Sequence, residues 1–216
     1  MALTFPLSTA LFFDLLPISR VTFRLGAALT SSETGGGEVI THRIGARLWT
    51  GEITLDKDRH RELAAVEALI ALLEEPGASF LLHDKRQVGP RADPDGTVLG
   101  AAEPLIADLA TDMSGLSLQG LPEGYSLSPG DYLGFSYGSA PTRHALHRLV
   151  TGGTASASGT TPTLSVVPAL RLGVAPGTPV QLVSPSCKAR LSSADYGTGK
   201  AVLSEGGTLS WTQTLR

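Results

Sequence analysis

Hydrophobic and polar residues alternate along much of this chain, and they shift to a helical period in one place. Val21–Leu25 (VTFRL) alternates and predicts a strand. Thr30–Glu38 (TSSETGGGE) predicts a flexible turn cluster. Val39–Leu55 carries Ile44, Ala46 and Leu48 on one parity and Arg43 and Arg47 on the other. That pattern predicts one long strand, or two broken at Gly45 or Gly51. From Asp56 to Glu75 the apolar positions Leu63, Val66, Leu69, Ile70 and Leu73 fall on one helical stripe, with Asp56 placed as an N-cap. Five such side chains, at about 1.5–3 kcal/mol each on burial, give a gross roughly 7–15 kcal/mol, so the helix must dock on a sheet. Pro76-Gly77 ends it, and Ser79–His83 returns as a strand.

Asp84–Asp112 is polar and broken by Pro90, Pro94, Gly96, Gly100 and Pro104. A loop of that length inside a compact domain usually has a job, here as a connector or interface arm. Beyond it the chain reads as short strands: Leu116–Gln119, Asp131–Tyr137, Arg143–Thr151, Thr163–Val167, Pro179–Ser184, Lys188–Leu191 and Leu209–Leu215. Turn pairs such as Pro129-Gly130, Gly152-Gly153, Pro176-Gly177 and Gly206-Gly207 punctuate them. The expected fold class is mainly β with a minor helical part. Residues 1–112 form a β-sandwich-like domain with the helix 56–75 packed on it, and residues 113–216 form a small barrel or sandwich.

Composition narrows the function. Of the 216 residues 42% are hydrophobic and 17% charged, and a charged share below the usual quarter leans toward burial in an assembly. The net charge is −3 and no Lys/Arg run occurs, so a sequence-independent grip on a nucleic-acid backbone is not expected. Pro6, Asp14 and Pro17 interrupt the apolar start, which therefore fits neither a signal peptide nor a membrane span. Phe12, Phe13, Leu15 and Leu16 need cover, from the chain's own core before a partner's surface.

Candidate chemistry is sparse, and no catalytic, cofactor or metal residue is expected. His144 and His147 stand three apart in an extended segment, so they point to opposite faces and cannot share a metal. Asp93-Pro94-Asp95-Gly96 looks like the start of a calcium loop, but position twelve is Pro104, so a tight turn is expected. Gly134-Phe135-Ser136-Tyr137-Gly138 lacks the spacing of a nucleophile elbow. Cys187, the solitary cysteine, lies beside Lys188 and reads as an inert buried thiol. Glu74 and Glu75 face different directions at the helix end, and Gly35-Gly36-Gly37 precedes no Lys-Ser/Thr, so it is a hairpin tip and not a phosphate loop. Trp49 is expected in the core. Trp211, with Tyr125, Tyr132 and Tyr137, could stack on a sugar if exposed.

Two stretches resemble the distal tail (Dit-like) proteins at the tail tip of long-tailed phages. The first spans Arg47–His83, the ARLWTGEITL strand, the helix, and then ASFLLHDKRQVGPRADPDGT. The second spans Leu127–Arg190: LSPGDYLGFSYG, ALHRLV, a Gly/Ser loop, LSVVPALR and GTPVQLVSPSCKARL. With the quoted sequences running on to Thr97 and Leu191, the two cover more than half the chain. The resemblance implies a virion structural protein of a siphovirus or gene-transfer-agent-like particle. It implies a homo-oligomeric ring, most often a hexamer, that joins the tail tube above to a hub, baseplate or fibre below. It implies assembly in the host cytoplasm, residence in the virion tail tip, no cofactor and no catalysis. The large carbohydrate-binding insertion of some relatives is missing, which favours a connector over a receptor binder. The alternatives are a carbohydrate-binding β-module, another adaptor ring or hub of the same tip, and, with least support, a cell-wall hydrolase.

Overall fold

The computed structural model describes residues 3–199 and 202–215. Two 3₁₀ turns, Thr9–Leu11 and Phe13–Leu15, open the chain. The strands of the first part are Ile18–Val21 (β1), Arg24–Leu25 (β2), Leu29–Glu33 (β3), Val39–Arg43 (β4), Trp49–Leu55 (β5) and Asp58–Arg59 (β6). The helix His60–Leu73 (α1) and Phe80–Leu82 (β7) follow. The middle holds Leu105–Leu109 (β8), Gly115–Gln119 (β9), Ser126–Leu127 (β10), Tyr132–Tyr137 (β11), Arg143–Leu149 (β12), Gly153–Thr154 (β13) and Leu164–Val167 (β14). The last strands are Cys187–Asp195 (β15), Leu203–Ser204 (β16) and Thr208–Gln213 (β17).

These elements make a mainly β protein with one α-helix and two curled antiparallel sheets, each a half-barrel. The first sheet runs β1-β5-β17-β15-β7, with β2 also paired to β5. The second runs β11-β12-β14-β9-β8. Period two explains the first sheet locally. In β5, Trp49, Ile53 and Leu55 are buried, and Leu209, Trp211 and Gln213 alternate inward along β17. The helix buries Leu63, Val66, Ile70 and Leu73, four residues of the predicted stripe, while Leu69 packs at its margin. Gly51 is forced by proximity: a Cβ there would run into the Thr22 carbonyl and the Trp211 ring.

Two apolar cores result. One gathers Phe12, Phe13, Trp49, Phe80, Leu209 and Trp211 under the first sheet, and it also takes Tyr132 and Leu146 from the second. The other fills the second half-barrel around Ile106, Leu118, Leu133, Phe135 and Leu164. Trp49 rivets the two: its indole Nε1 donates to the Leu146 carbonyl at 2.7 Å, and its ring meets Tyr132 edge-on at 5.6 Å.

Several expectations need correction. The helix spans 60–73 rather than 56–75, and Asp56 does not cap it. The N-cap is Arg59, with no side-chain bond, because Asp58–Arg59 is drawn into an extended pairing with Leu203–Ser204. The Asp56 carboxylate instead accepts from the next amide, Lys57 N–H, at 2.8 Å. The two sheets do not part at residue 112. β15 and β17 lie in the C-terminal segment 113–216, yet they pair with β7 and β5 of the first sheet. Non-local pairing of this kind leaves no mark in a local pattern. Pro179–Ser184 forms no strand and contributes isolated bridges, Leu105↔Pro179 and Gly134↔Gln181. Of the alternatives for Val39–Leu55, the structure takes the two strands broken at Gly45, with 44–48 between them and Gly51 inside β5. The expected turn cluster Thr30–Glu38 is part strand, with the reversal confined to 34–38 and closed by Gly37 N–H to the Thr34 carbonyl at 2.9 Å. At the start of the chain Phe12, Phe13 and Leu16 are core residues, whereas Leu15 is exposed. No helix among the described residues is long and apolar enough to cross a membrane.

Candidate functional site

The expected arm, 84–112, is not all loop, since β8 occupies Leu105–Leu109, but the part before it, 84–104, contains no strand or helix and is still held firmly. Three buried aspartates hold it. Asp84 follows β7 and receives Arg86 twice, Nε at 2.8 Å and Nη2 at 2.7 Å, together with the Arg86 backbone N–H and the Tyr132 hydroxyl. Burial pushes the Asp84 carboxyl up, but the Arg86 bonds outweigh it and hold it below its ordinary value. Tyr132 is driven up to about 12 by burial and by that carboxylate.

Asp93 accepts from the backbone N–H of Val98 at 3.0 Å and Leu99 at 2.8 Å, and from the Tyr125 hydroxyl at 3.2 Å. Burial opposes its charge, yet these donors keep its carboxyl acidic. The Asp93-Pro94-Asp95-Gly96 sequence is therefore the expected turn, closed by Gly96 N–H to the Asp93 carbonyl, with Gly96 at φ +72°. Asp131, at the Pro129-Gly130 turn, takes Gln87 Nε2 at 2.8 Å, Arg91 N–H at 2.9 Å and Ser128 N–H at 2.8 Å. It ties the arm to the start of β11.

Between the arm and that turn lies a cavity of about 510 Å³. Four cations line it, Lys85, Arg86, Arg91 and Arg148, with Asp95 and Asp131 as the acids. Arg148 is pre-set: its Nε donates to the Gly130 carbonyl at 3.0 Å and its guanidinium lies 5.0 Å over the Tyr132 ring. Lys85 donates to the Phe13 carbonyl and sits 4.9 Å over that ring. The second notable surface is the β3–β4 hairpin, exposed along both strands and carrying Leu29, Val39 and Ile40 in the open.

His144 and His147 diverge. The His147 ring is fully buried and donates Nδ1–H to the Pro168 carbonyl at 2.7 Å, and burial lowers it to about 4. His144 bonds Ser136 across β11–β12 at 3.1 Å. That is a nucleophile and a base in contact, but no carboxylate orients the imidazole among the described residues, so the pair lacks the third member of a triad. Cys187 is buried and burial pushes its thiol up, away from thiolate chemistry. Glu74 accepts from the Tyr196 hydroxyl at 2.6 Å. Trp49, Trp211, Tyr125, Tyr132 and Tyr137 are all buried, so none offers a flat face to a sugar. Among the described residues no three His, Cys, Asp or Glu side chains are grouped to hold a metal.

Sequence reasoning passed over Asp84, Asp131, Arg91 and Arg148. A signal was there for the aspartates: each is a lone acid beside an apolar strand, in the stretches FLLHD and PGDYL. Comparison with known proteins finds no family model that matches this chain and no curated protein similar to it.

Proposed function

We propose that this chain is a non-enzymatic structural component of a phage-type tail tip, closing into a ring that links the tail tube to the hub, baseplate or fibre below. The observation that carries the reading is the β3–β4 hairpin. An isolated two-stranded hairpin is at best marginally stable in water, and this one leaves Leu29 at 51% and Val39 at 56% exposure. Its strands contain neither Pro nor Lys, the usual guards of an open edge. Copies of the same chain arranged about an axis would cover it, which is how a closed ring hides one patch on another.

The ordered likeness of Arg47–His83 and Leu127–Arg190 to distal tail proteins supports the same reading, with six copies as the expected number and the virion tail tip as the place. A hub or second adaptor ring remains the nearest relative of this proposal. A sugar-binding module is disfavoured because both tryptophans lie in the core.

Native mass spectrometry and negative-stain imaging of the full-length chain test it. Closed rings of one stoichiometry are the expected result. A species that stays monomeric at every concentration, including with tail-tube protein added, would overturn it.

A further inference from the structure

The cationic cavity beside the 84–104 arm has more positive groups at its rim than its own subunit neutralises. Arg86 is paired with Asp84, and that is the one ion pair formed among the described residues. Lys85, Arg91 and Arg148 face the same space without a carboxylate at ion-pair distance. The Asp131 carboxylate at its wall is already engaged by three donors, and Asp95 is the other acid present.

The β3–β4 hairpin has the opposite character. From Thr30 to Thr41 it carries Glu33 and Glu38 and no Lys or Arg. Its strands pair over five residues, Leu29↔Arg43 to Glu33↔Val39, so they carry the tip about 17 Å from the base. The tip is narrow: a Cβ added at Gly35 or Gly37 would touch nothing within 4 Å.

We infer that the acidic tip of one copy's hairpin seats in the cationic cavity of the next copy, with Glu33 and Glu38 meeting Arg91 and Arg148. This rests on the ring reading and specifies its contact. Tip and cavity are different patches of one chain, which is the head-to-tail arrangement that rotation can close into a ring. The occupant is a second copy because the charges match. Arg148 is already oriented by Gly130 and Tyr132, so little side-chain order is lost when a carboxylate arrives. The contact is electrostatic and rim-exposed, so assembly weakens as salt rises.

Two charge-reversed chains test the inference: E33K/E38K, whose tip and cavity are both positive, and R91E/R148E, whose tip is negative and whose cavity is turned acidic. All four positions are exposed, so both variants keep the wild-type fold; R148E gives up the Gly130 bond and the Tyr132 contact, so R91E/R148E melts slightly lower, and circular dichroism of each monomer checks that it is folded. Each alone is expected to need at least about tenfold more protein to assemble than the wild type. Mixed in equal amounts they assemble again, because every tip then finds an opposite cavity in alternation around the ring.

A wild-type ring whose assembly is indifferent to either reversal, or variants that fail to rescue each other, overturns the docking and leaves the ring standing. A wild type that never assembles overturns both. Rings intact in R91E/R148E together with lost affinity for a random-sequence DNA probe would make the cavity a polyanion site, and would also overturn the docking.

Discussion

The β3–β4 hairpin has an unbroken register of strand pairing and no buried residue, whereas segment 84–104 has no strand or helix and buries Asp84, Gly89, Pro90, Asp93 and Pro104. The two regions separate regularity from support. In the hairpin, backbone hydrogen bonds face water on all sides and contribute little net stability. In the arm, irregular backbone is fixed because its amides have buried carboxylates to bond: Arg86 to Asp84, Arg91 to Asp131, Val98 and Leu99 to Asp93. A regular element can therefore be the part that depends on a partner, and an irregular one the part that holds its own shape.

The largest test of that contrast is Asp131→Ala. It leaves the part-buried donors of Gln87, Arg91 and Ser128 without their acceptor, and about 2–4 kcal/mol should be lost in urea unfolding. Gly89→Ala comes next. Its new Cβ would stand 2.5 Å from the Pro94 carbonyl oxygen, backbone that cannot swing away, so about 1–3 kcal/mol is expected in the same measurement.

Acid should loosen the arm before the hairpin. Asp84 sits below its ordinary 3.8, so its contribution is complete above that value and is lost as pH falls through the lower folded value. His83, whose burial holds its ring neutral, adds a loss that begins as pH falls below 6.5, where the unfolded chain takes up a proton that the folded one refuses. Hydrogen exchange, referenced to free peptide at each pH, should show the Arg86 amide losing protection on acidification while the 29–43 amides stay uniformly weak. The smallest effect on stability belongs to Ile40→Ser, under about 0.5 kcal/mol, with assembly impaired in native mass spectrometry although melting is unchanged. A hairpin variant that melted several degrees lower as a monomer would break the comparison.

Much of the fold was readable from residues that act locally. The helical stripe from Leu63 to Leu73, the strand before it and the β7 strand after it follow from spacing alone. The helix start was not readable, because Asp58–Arg59 is claimed by Leu203–Ser204 far along the chain. Nor was the fate of Trp211, which depends on Gly51 and Phe23 standing against it from the other end of the sequence. The arm was recognised by its length and by its Pro and Gly content, but its anchors were not. A buried aspartate and a solvated one look alike until the amides that bond them are placed in space. The cavity's cations lie at 85–91 and at 148, and the contacts of Asp131 and of Tyr132 bring those stretches together.

The crossing of β17 onto β5 also bears on how the molecule comes into being. The amide of Trp49 bonds the side chain of Gln213, a separation of 164 residues. At a ribosomal rate of about 5–20 residues per second, an early strand waits roughly 10–30 s for its neighbour to be made. The second half-barrel, enclosed between the two halves of the first, has all its strands by Val167 and can close in the meantime. The nascent chain can thus finish its middle before its outside, and the edges of β5 and β7 that pair with β17 and β15 stay open until the final strands leave the tunnel.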